Sequence, residues 1–236
     1  MSVSIPTLDG SLEHHSAKPI AHNFGAYAMP PPVGHWLKRG FDLVAASALL
    51  ILLLPVLPLI ALAVWLDGGP ALYRHARVGF GGRAFGCLKY RTMVPDADQR
   101  LAAHLATDRQ AAEEWAARRK LSRDPRVTRV GAVLRATSLD ELPQLINVLS
   151  GSMSLVGPRP VVADELAEHY DRDGCAAYLS SRPGITGLWQ VSGRSGTSYS
   201  ARVEFDRAYA RTWSLWLDLK ILLRTIPAVL ARRGAV

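Results

Sequence analysis

The chain has 236 residues, enough for one domain with an appendage. Its formal charge of +8 and pI of about 9.9 call for an anionic partner: nucleic acid, an anionic membrane face or a phosphorylated substrate. No helix-turn-helix signature, zinc-ligand spacing or basic-aromatic repeat accompanies that charge, which sets nucleic acid aside.

Residues 1–34 mix Ser, Pro, His and Gly without an apolar run, and Met29-Pro30-Pro31-Pro32 cannot propagate a helix. This stretch reads as a mobile tail and not as a signal peptide. The two cysteines, Cys87 and Cys175, are far apart in the chain and read as free thiols, with a disulfide as the alternative.

Leu43 to Leu66 carries no ionisable group and reads as a membrane segment. A single straight span and a re-entrant hairpin are both open to it. Two features favour the hairpin. Pro55 and Pro58 lie in its middle, where each removes a backbone donor and clashes with the preceding turn. The part before them would be about 18 Å long at ~1.5 Å per residue, too short for a hydrocarbon core of about 30 Å. Basic residues also flank both ends, with His35, Lys38 and Arg39 before and Arg74, His75, Arg77 and Arg83 after. The positive-inside tendency then places both ends in the cytosol.

Residues 71–93 alternate short apolar pieces with Gly and predict a β-hairpin ending in Lys89-Tyr90-Arg91-Thr92-Met93. A helix is expected from Pro95 to about Lys120, followed by an Arg-rich stretch holding Arg123, Arg126, Arg129 and Arg135. A short helix follows over 139–149, closed by Gly151. Gly157-Pro158-Arg159-Pro160 reads as a stiff turn, 161–170 as a helix, and Arg182-Pro183-Gly184 as the start of a loop reaching Arg194. Residues 201–210 suggest a further helix. The helix expected over 213–230 is apolar around most of its girth, with Ser214, Asp218, Lys220 and Arg224 as its polar stripe. It suits either a membrane interface or the core. The expected fold is therefore mainly α with a small β-hairpin. A re-entrant membrane element over 35–70 joins a membrane-associated catalytic domain over 71–236.

Asp140 and Glu141 are the leading candidates for chemistry. Pro143 is tolerated only in a first helical turn, which puts Asp140 at or near an N-cap. Plain capping explains an Asp there. So does chemistry: a carboxylate kept ionised by a helix dipole can attack phosphorus, and a neighbouring Glu can hold Mg²⁺ against a diphosphate. Arg159, between two prolines, is preorganised to grip a phosphate. Lys89 and Arg91 follow a strand and can meet the same anion.

The stretch from Thr137 to Pro160, TSLDELPQLINVLSGSMSLVGPRP, together with Lys38-Arg39 and Asp42, Arg77-Val78-Gly79, Lys89 to Met93, Asp124 to Thr128 and Arg182 to Gly187, resembles the bacterial sugar transferase family. These are the monotopic phosphoglycosyl transferases, and the resemblance covers residues 36–230. It implies a re-entrant membrane helix, an Asp140 that attacks the sugar-linked phosphorus of a UDP-sugar with loss of UMP, and an undecaprenyl phosphate that takes the phospho-sugar from the enzyme. It also implies Mg²⁺ at Glu141 and Asp140, and phosphate contacts from Lys89, Arg91, Arg126, Arg159 and Arg182. The Pro-Arg-Pro block resembles the exopolysaccharide-priming branch, which uses UDP-glucose or UDP-galactose at the cytoplasmic face of the inner membrane. Two departures stand out: Leu54 precedes Pro55 where short members have Ser, and Asp67-Gly68-Gly69-Pro70 replaces Ser-Pro-Gly-Pro. A non-catalytic membrane anchor is the competing reading, and a homo-oligomer remains open.

Overall fold

The computed structural model describes residues 31–118, 120–192 and 198–230. Most of the expected tail and the far end of the loop reaching Arg194 lie outside these residues. Of the tail's last residues, Val33 donates its N–H to the Ser180 carbonyl at 3.0 Å.

The apolar run forms two helices, α1 (His35–Leu53) and α2 (Leu57–Leu66), bent by 63° at the break between them. Pro55 lies at the break, as expected. Pro58 does not break anything: it sits in the first turn of α2, where its missing N–H has no helical partner to lose. Among the described residues no single helix is long and apolar enough to cross a membrane, whereas this bent pair passes that test together.

The expected hairpin follows as β1 (Leu72–Val78) and β2 (Ala84–Tyr90), antiparallel in the register Leu72↔Tyr90 to Val78↔Ala84. The helix expected to reach Lys120 is two helices, α3 (Ala97–Thr107) and α4 (Arg109–Arg118). Asp108 is extended between them and its side chain accepts the Ala111 N–H at 2.9 Å, so a capping Asp restarts the helix. The Arg-rich stretch, to which the sequence reading assigns no element, contains α5 (Arg129–Thr137), capped by the Thr128 hydroxyl on the Gly131 N–H.

Then come α6 (Gln144–Ser150), β3 (Ser154–Val156), α7 (Ala163–His169), α8 (Arg172–Leu179), β4 (Gly184–Thr186), α9 (Leu188–Ser192), α10 (Tyr199–Thr212) and α11 (Leu215–Leu230). Strands β3 and β4 pair in parallel, a contact too short to show in periodicity. Their approach depends on two glycines: a Cβ on Gly157 would meet the Arg182 carbonyl at 2.3 Å, and one on Gly184 the Gly157 nitrogen at 2.1 Å.

The largest core cluster joins α1, β2, α6, β3, α10 and α11 through Ala46, Cys87, Leu145, Val156, Tyr209 and Ile221. A smaller cluster, Val64, Tyr90 and Leu134, with Leu139 and Leu142 packed against it, seats α2 on α5. Buried charge ties α1 to the rest. Lys38 donates to Asp218 at 2.6 Å, and Arg39 donates to the Val148 and Leu149 carbonyls at the end of α6. Asp218, read as part of the helix's polar stripe, is fully buried. Helix α11 packs on the core through Ile221 and Asp218, as one of its two readings expected, and leaves Trp216, Leu223 and Ile226 exposed. Both cysteines are free and buried, as read from the sequence.

Candidate active site

Helix α5 ends at Ser138, whose φ of 57° turns the chain left-handed. One 3₁₀ turn, Leu139–Glu141, follows, and α6 begins only at Gln144 with Pro143 as its cap. Asp140 is therefore not the N-cap of α6; Pro143 falls before the helix and not inside its first turn. The turn is held from below, because Leu139 and Leu142 pack into the cluster that seats α2.

The two carboxylates meet Lys89 on β2. Its ammonium lies 2.6 Å from Glu141 Oε1 and 3.9 Å from Asp140 Oδ2. Asn147 of α6 fixes that approach: its Oδ1 accepts the Leu88 N–H at 2.8 Å and its Nδ2 donates to the Gly86 carbonyl at 2.9 Å. Strand β2 is thereby bolted to the helix that follows the dyad.

Glu141 opens on a narrow cleft that Lys89, Arg77, Cys87, Gln144 and Arg159 also line. The Pro-Arg-Pro turn brings Arg159 there. The Gly184 N–H donates to the Pro158 carbonyl at 2.8 Å, and Arg77 donates to the Pro160 carbonyl at 3.2 Å. Arg77 also lies 3.2 Å from His75 Nδ1. Burial, then the charges of Arg77 and Lys89, push the His75 imidazole below its ordinary pKa, which suits a neutral acceptor.

The carboxylates differ. Burial raises the pKa of Asp140, Lys89 opposes it, and the nearby Glu141 charge adds to the rise. Burial also works against ionisation of Glu141, but Lys89, Arg159 and Arg77 together outweigh it and hold that carboxyl below its usual range. The pair thus combines a firmly ionised Glu with an Asp whose charge is costly to keep, a ground state that favours attack on an electrophile.

Of the residues expected at the site, Asp140, Glu141, Lys89 and Arg159 are brought together. Three are not. Arg91 is buried and spends its donors on the carbonyls of Val64, Pro70 and Met93, securing the turn after α2. Arg126 forms a forked pair with Asp124 and lies 5.0 Å from the Trp115 ring. Arg182 donates to the Gly151 carbonyl beyond α6. All three follow the same physics: a guanidinium beside Pro, Gly or a helix end finds protein oxygens before it finds a ligand.

Arg77, Gln144 and Asn147 were missed as site residues. Arg77 was counted among the basic flanks of the apolar run. Strand alternation puts Tyr73, His75 and Arg77 on the hairpin face shared by Phe85, Cys87 and Lys89. The pairing register was needed to see it.

A family model described as bacterial sugar transferase matches residues 33–232, a span that holds the whole cleft. The chain belongs to the bacterial sugar transferase family. The transferase is similar to the exopolysaccharide production protein ExoY of Rhizobium meliloti (strain 1021), 54% identical over 205 residues, 86% of this chain and 90% of that one. It is 47% identical over 206 residues to the UDP-glucose:undecaprenyl-phosphate glucose-1-phosphate transferase of Caulobacter vibrioides, covering 84% of this chain and 71% of that one. It is 50% identical over 200 residues to the undecaprenyl-phosphate galactose phosphotransferase of Salmonella typhimurium, covering 85% of this chain but only 42% of that relative.

Proposed function

We propose that this transferase moves hexose 1-phosphate, glucose or galactose, from a UDP-sugar to undecaprenyl phosphate, the first membrane step of exopolysaccharide synthesis. The observation that carries the reading is the adjacent carboxylate pair held on Lys89, with Glu141 opening on an arginine-lined cleft and the turn that bears the pair packed against the seat of the apolar hairpin. The names of the relatives supply the substrate classes.

A carboxylate oxygen of Asp140 attacks the sugar-linked phosphorus. The bond to the bridging oxygen breaks, and its electron pair leaves with UMP. The Asp140 phospho-sugar ester is then attacked by an oxygen of the lipid phosphate; the acyl-phosphate bond breaks and the carboxylate returns. Arg77 and Arg159 hold the distal phosphate as its charge grows. Lys89 holds Glu141 and keeps the carboxyls apart in function. Arg135 lowers the Asp140 pKa from the other side and lies on α5, beside α2, where a lipid phosphate would arrive.

Mg²⁺ fits this donor set. Asp140 and Glu141 are adjacent carboxylates, and no cluster of three or more His, Cys, Asp or Glu ligands exists among the described residues. Such a pair is what Mg²⁺ takes when substrate phosphates and water complete its shell. Bound there it would neutralise diphosphate charge. Chelation is therefore expected to abolish lipid-dependent UMP release and excess Mg²⁺ to restore it. Full activity in excess chelator would remove the metal from the reading.

Residues 35–70 form the membrane element in this reading, with both ends on the cytosolic face and 71–236 as the catalytic region. Leu52 and Leu59 are 71% and 65% exposed, so no packing holds them. Replacing both by Asp is expected to cost about 6 kcal/mol of membrane binding, from ~3 kcal/mol per charge at the bilayer centre. The variant should move from the membrane pellet to the supernatant with its thermal transition unchanged. Retention in the pellet would count against the hairpin as anchor. An anchor without catalysis, the competing reading, leaves the Lys89-bound dyad unexplained.

A further inference from the structure

Next to the cleft lies a set of hydrogen-bond donors that the reaction has not used. Arg202 of α10 is buried, its side chain only 8% exposed. One edge of its guanidinium is engaged: Nη1 donates to Glu165 at 3.0 Å and to the Tyr199 hydroxyl at 3.2 Å. Among the described residues the other edge, Nε and Nη2, has no hydrogen-bond partner, and neither has the buried Nε1 of Trp189. These donors are neighbours, since the Arg202 guanidinium carbon is 4.9 Å from the Trp189 ring.

The cluster is continuous with the cleft. Arg159 lies in the cleft wall and 5.9 Å from the same Trp189 ring. Arg77, also in the wall, stands 3.8 Å from Glu165, the carboxylate that holds Arg202. Buried donors without acceptors are costly, and three of them around one indole call for an acceptor-rich group. Charge says which kind. Arg202 is already paired with Glu165 and has Asp206 close by, so its free edge suits neutral carbonyl oxygens. Arg77 and Arg159 both line the cleft, with Glu141 near both and Glu165 near Arg77, and two cations so placed suit phosphate.

We propose that Trp189 and the free edge of Arg202 form the subsite for the donor's nucleobase, a carbonyl-bearing pyrimidine, with Arg159 and Arg77 holding the phosphate between it and Asp140. This rests on the donor being a uridine nucleotide. The order along the cleft is then sugar phosphate at Asp140, distal phosphate at Arg159, base at Trp189. The free donors have almost no exposed surface, so the base enters by displacing side chains that line the cleft beside them, Gln190 and Arg159.

The test is inhibition by UMP and by inorganic pyrophosphate in wild type, Trp189→Phe and Arg202→Lys. Trp189→Phe keeps an aromatic ring and deletes one donor. Arg202→Lys keeps the charge facing Glu165 and deletes the fork. UMP inhibition is expected to weaken about fivefold in the first and about tenfold in the second, as for lost hydrogen bonds to an uncharged group. The KM for the UDP-sugar should rise in step, with kcat and pyrophosphate inhibition unchanged. Equal UMP affinity in well-folded Trp189→Phe and wild type would overturn the subsite, the donors then being met by water. Equal weakening of UMP and pyrophosphate would also overturn it, by assigning these residues to phosphate. A wild type that ignores UMP but answers to another nucleotide would instead overturn the uridine donor itself.

Discussion

Asp140→Asn is expected to abolish lipid-dependent UMP release, a loss on the order of 10³-fold or more, because an amide cannot form the phospho-sugar ester. The structure makes this a clean substitution. Asn has the shape of Asp, and the Asp140 carboxyl already sits where burial disfavours its charge. A neutral isostere should therefore leave the thermal transition where it is or raise it slightly. That separates lost chemistry from lost folding. Glu141→Gln is the companion. It leaves Lys89 facing a neutral amide at 2.6 Å and removes the oxygen charge that the phosphate-side arginines have kept ionised. It should also inactivate, but without trapped phospho-sugar on Asp140 becoming more abundant. Labelled hexose phosphate retained on wild type when the lipid acceptor is withheld, and absent from Asp140→Asn, would place the intermediate. Undiminished release by Asp140→Asn would keep the enzyme and remove its nucleophile.

Asp140 and Glu141 could be picked out as candidates because they are adjacent in the chain and bounded by Pro143. The bent helix pair was legible because proline in the middle of a charge-free run removes a donor and breaks the helix there. What could not be read was the capping of Asp140. Sequence alone made it the start of α6, but the left-handed Ser138 lets a 3₁₀ turn intervene. The fates of the arginines were also hidden. Arg91, just after a strand, and Arg159, in a Gly-Pro turn, were both read as phosphate contacts, yet one is consumed by three carbonyls and the other faces the cleft. That difference is set by which backbone oxygens lie within reach of the guanidinium, a property of the tertiary fold. Short elements such as β3 and β4 escaped for a related reason: three residues give no period to detect, and their pairing depends on glycines whose spacing means nothing until the backbones cross.

Asp218→Ala is expected to be the most destabilising single change at a distance from the cleft. The Asp218 carboxylate is fully buried and takes three donors: Lys38 at 2.6 Å, the Tyr209 hydroxyl at 2.8 Å and Trp213 Nε1 at 3.1 Å. It joins the first turn of α1 to α10 and α11, and its removal strands the ammonium of Lys38, itself 3% exposed. Breaking a buried pair from one side costs about 3–5 kcal/mol, since the remaining charge has no water to return to. For a chain of this length that is a fall of about 10 °C in Tm. The cost belongs to the stranded charge more than to the lost bond. Lys38→Met in the Asp218→Ala background should therefore recover a large part of the loss, although Tyr209 and Trp213 would still lack their acceptor. A double variant no more stable than Asp218→Ala would mean that the network is held by the Tyr209 and Trp213 bonds. In that case Lys38 would be a passenger, and the link between α1 and the C-terminal helices would rest on packing around Tyr209 and Ile221.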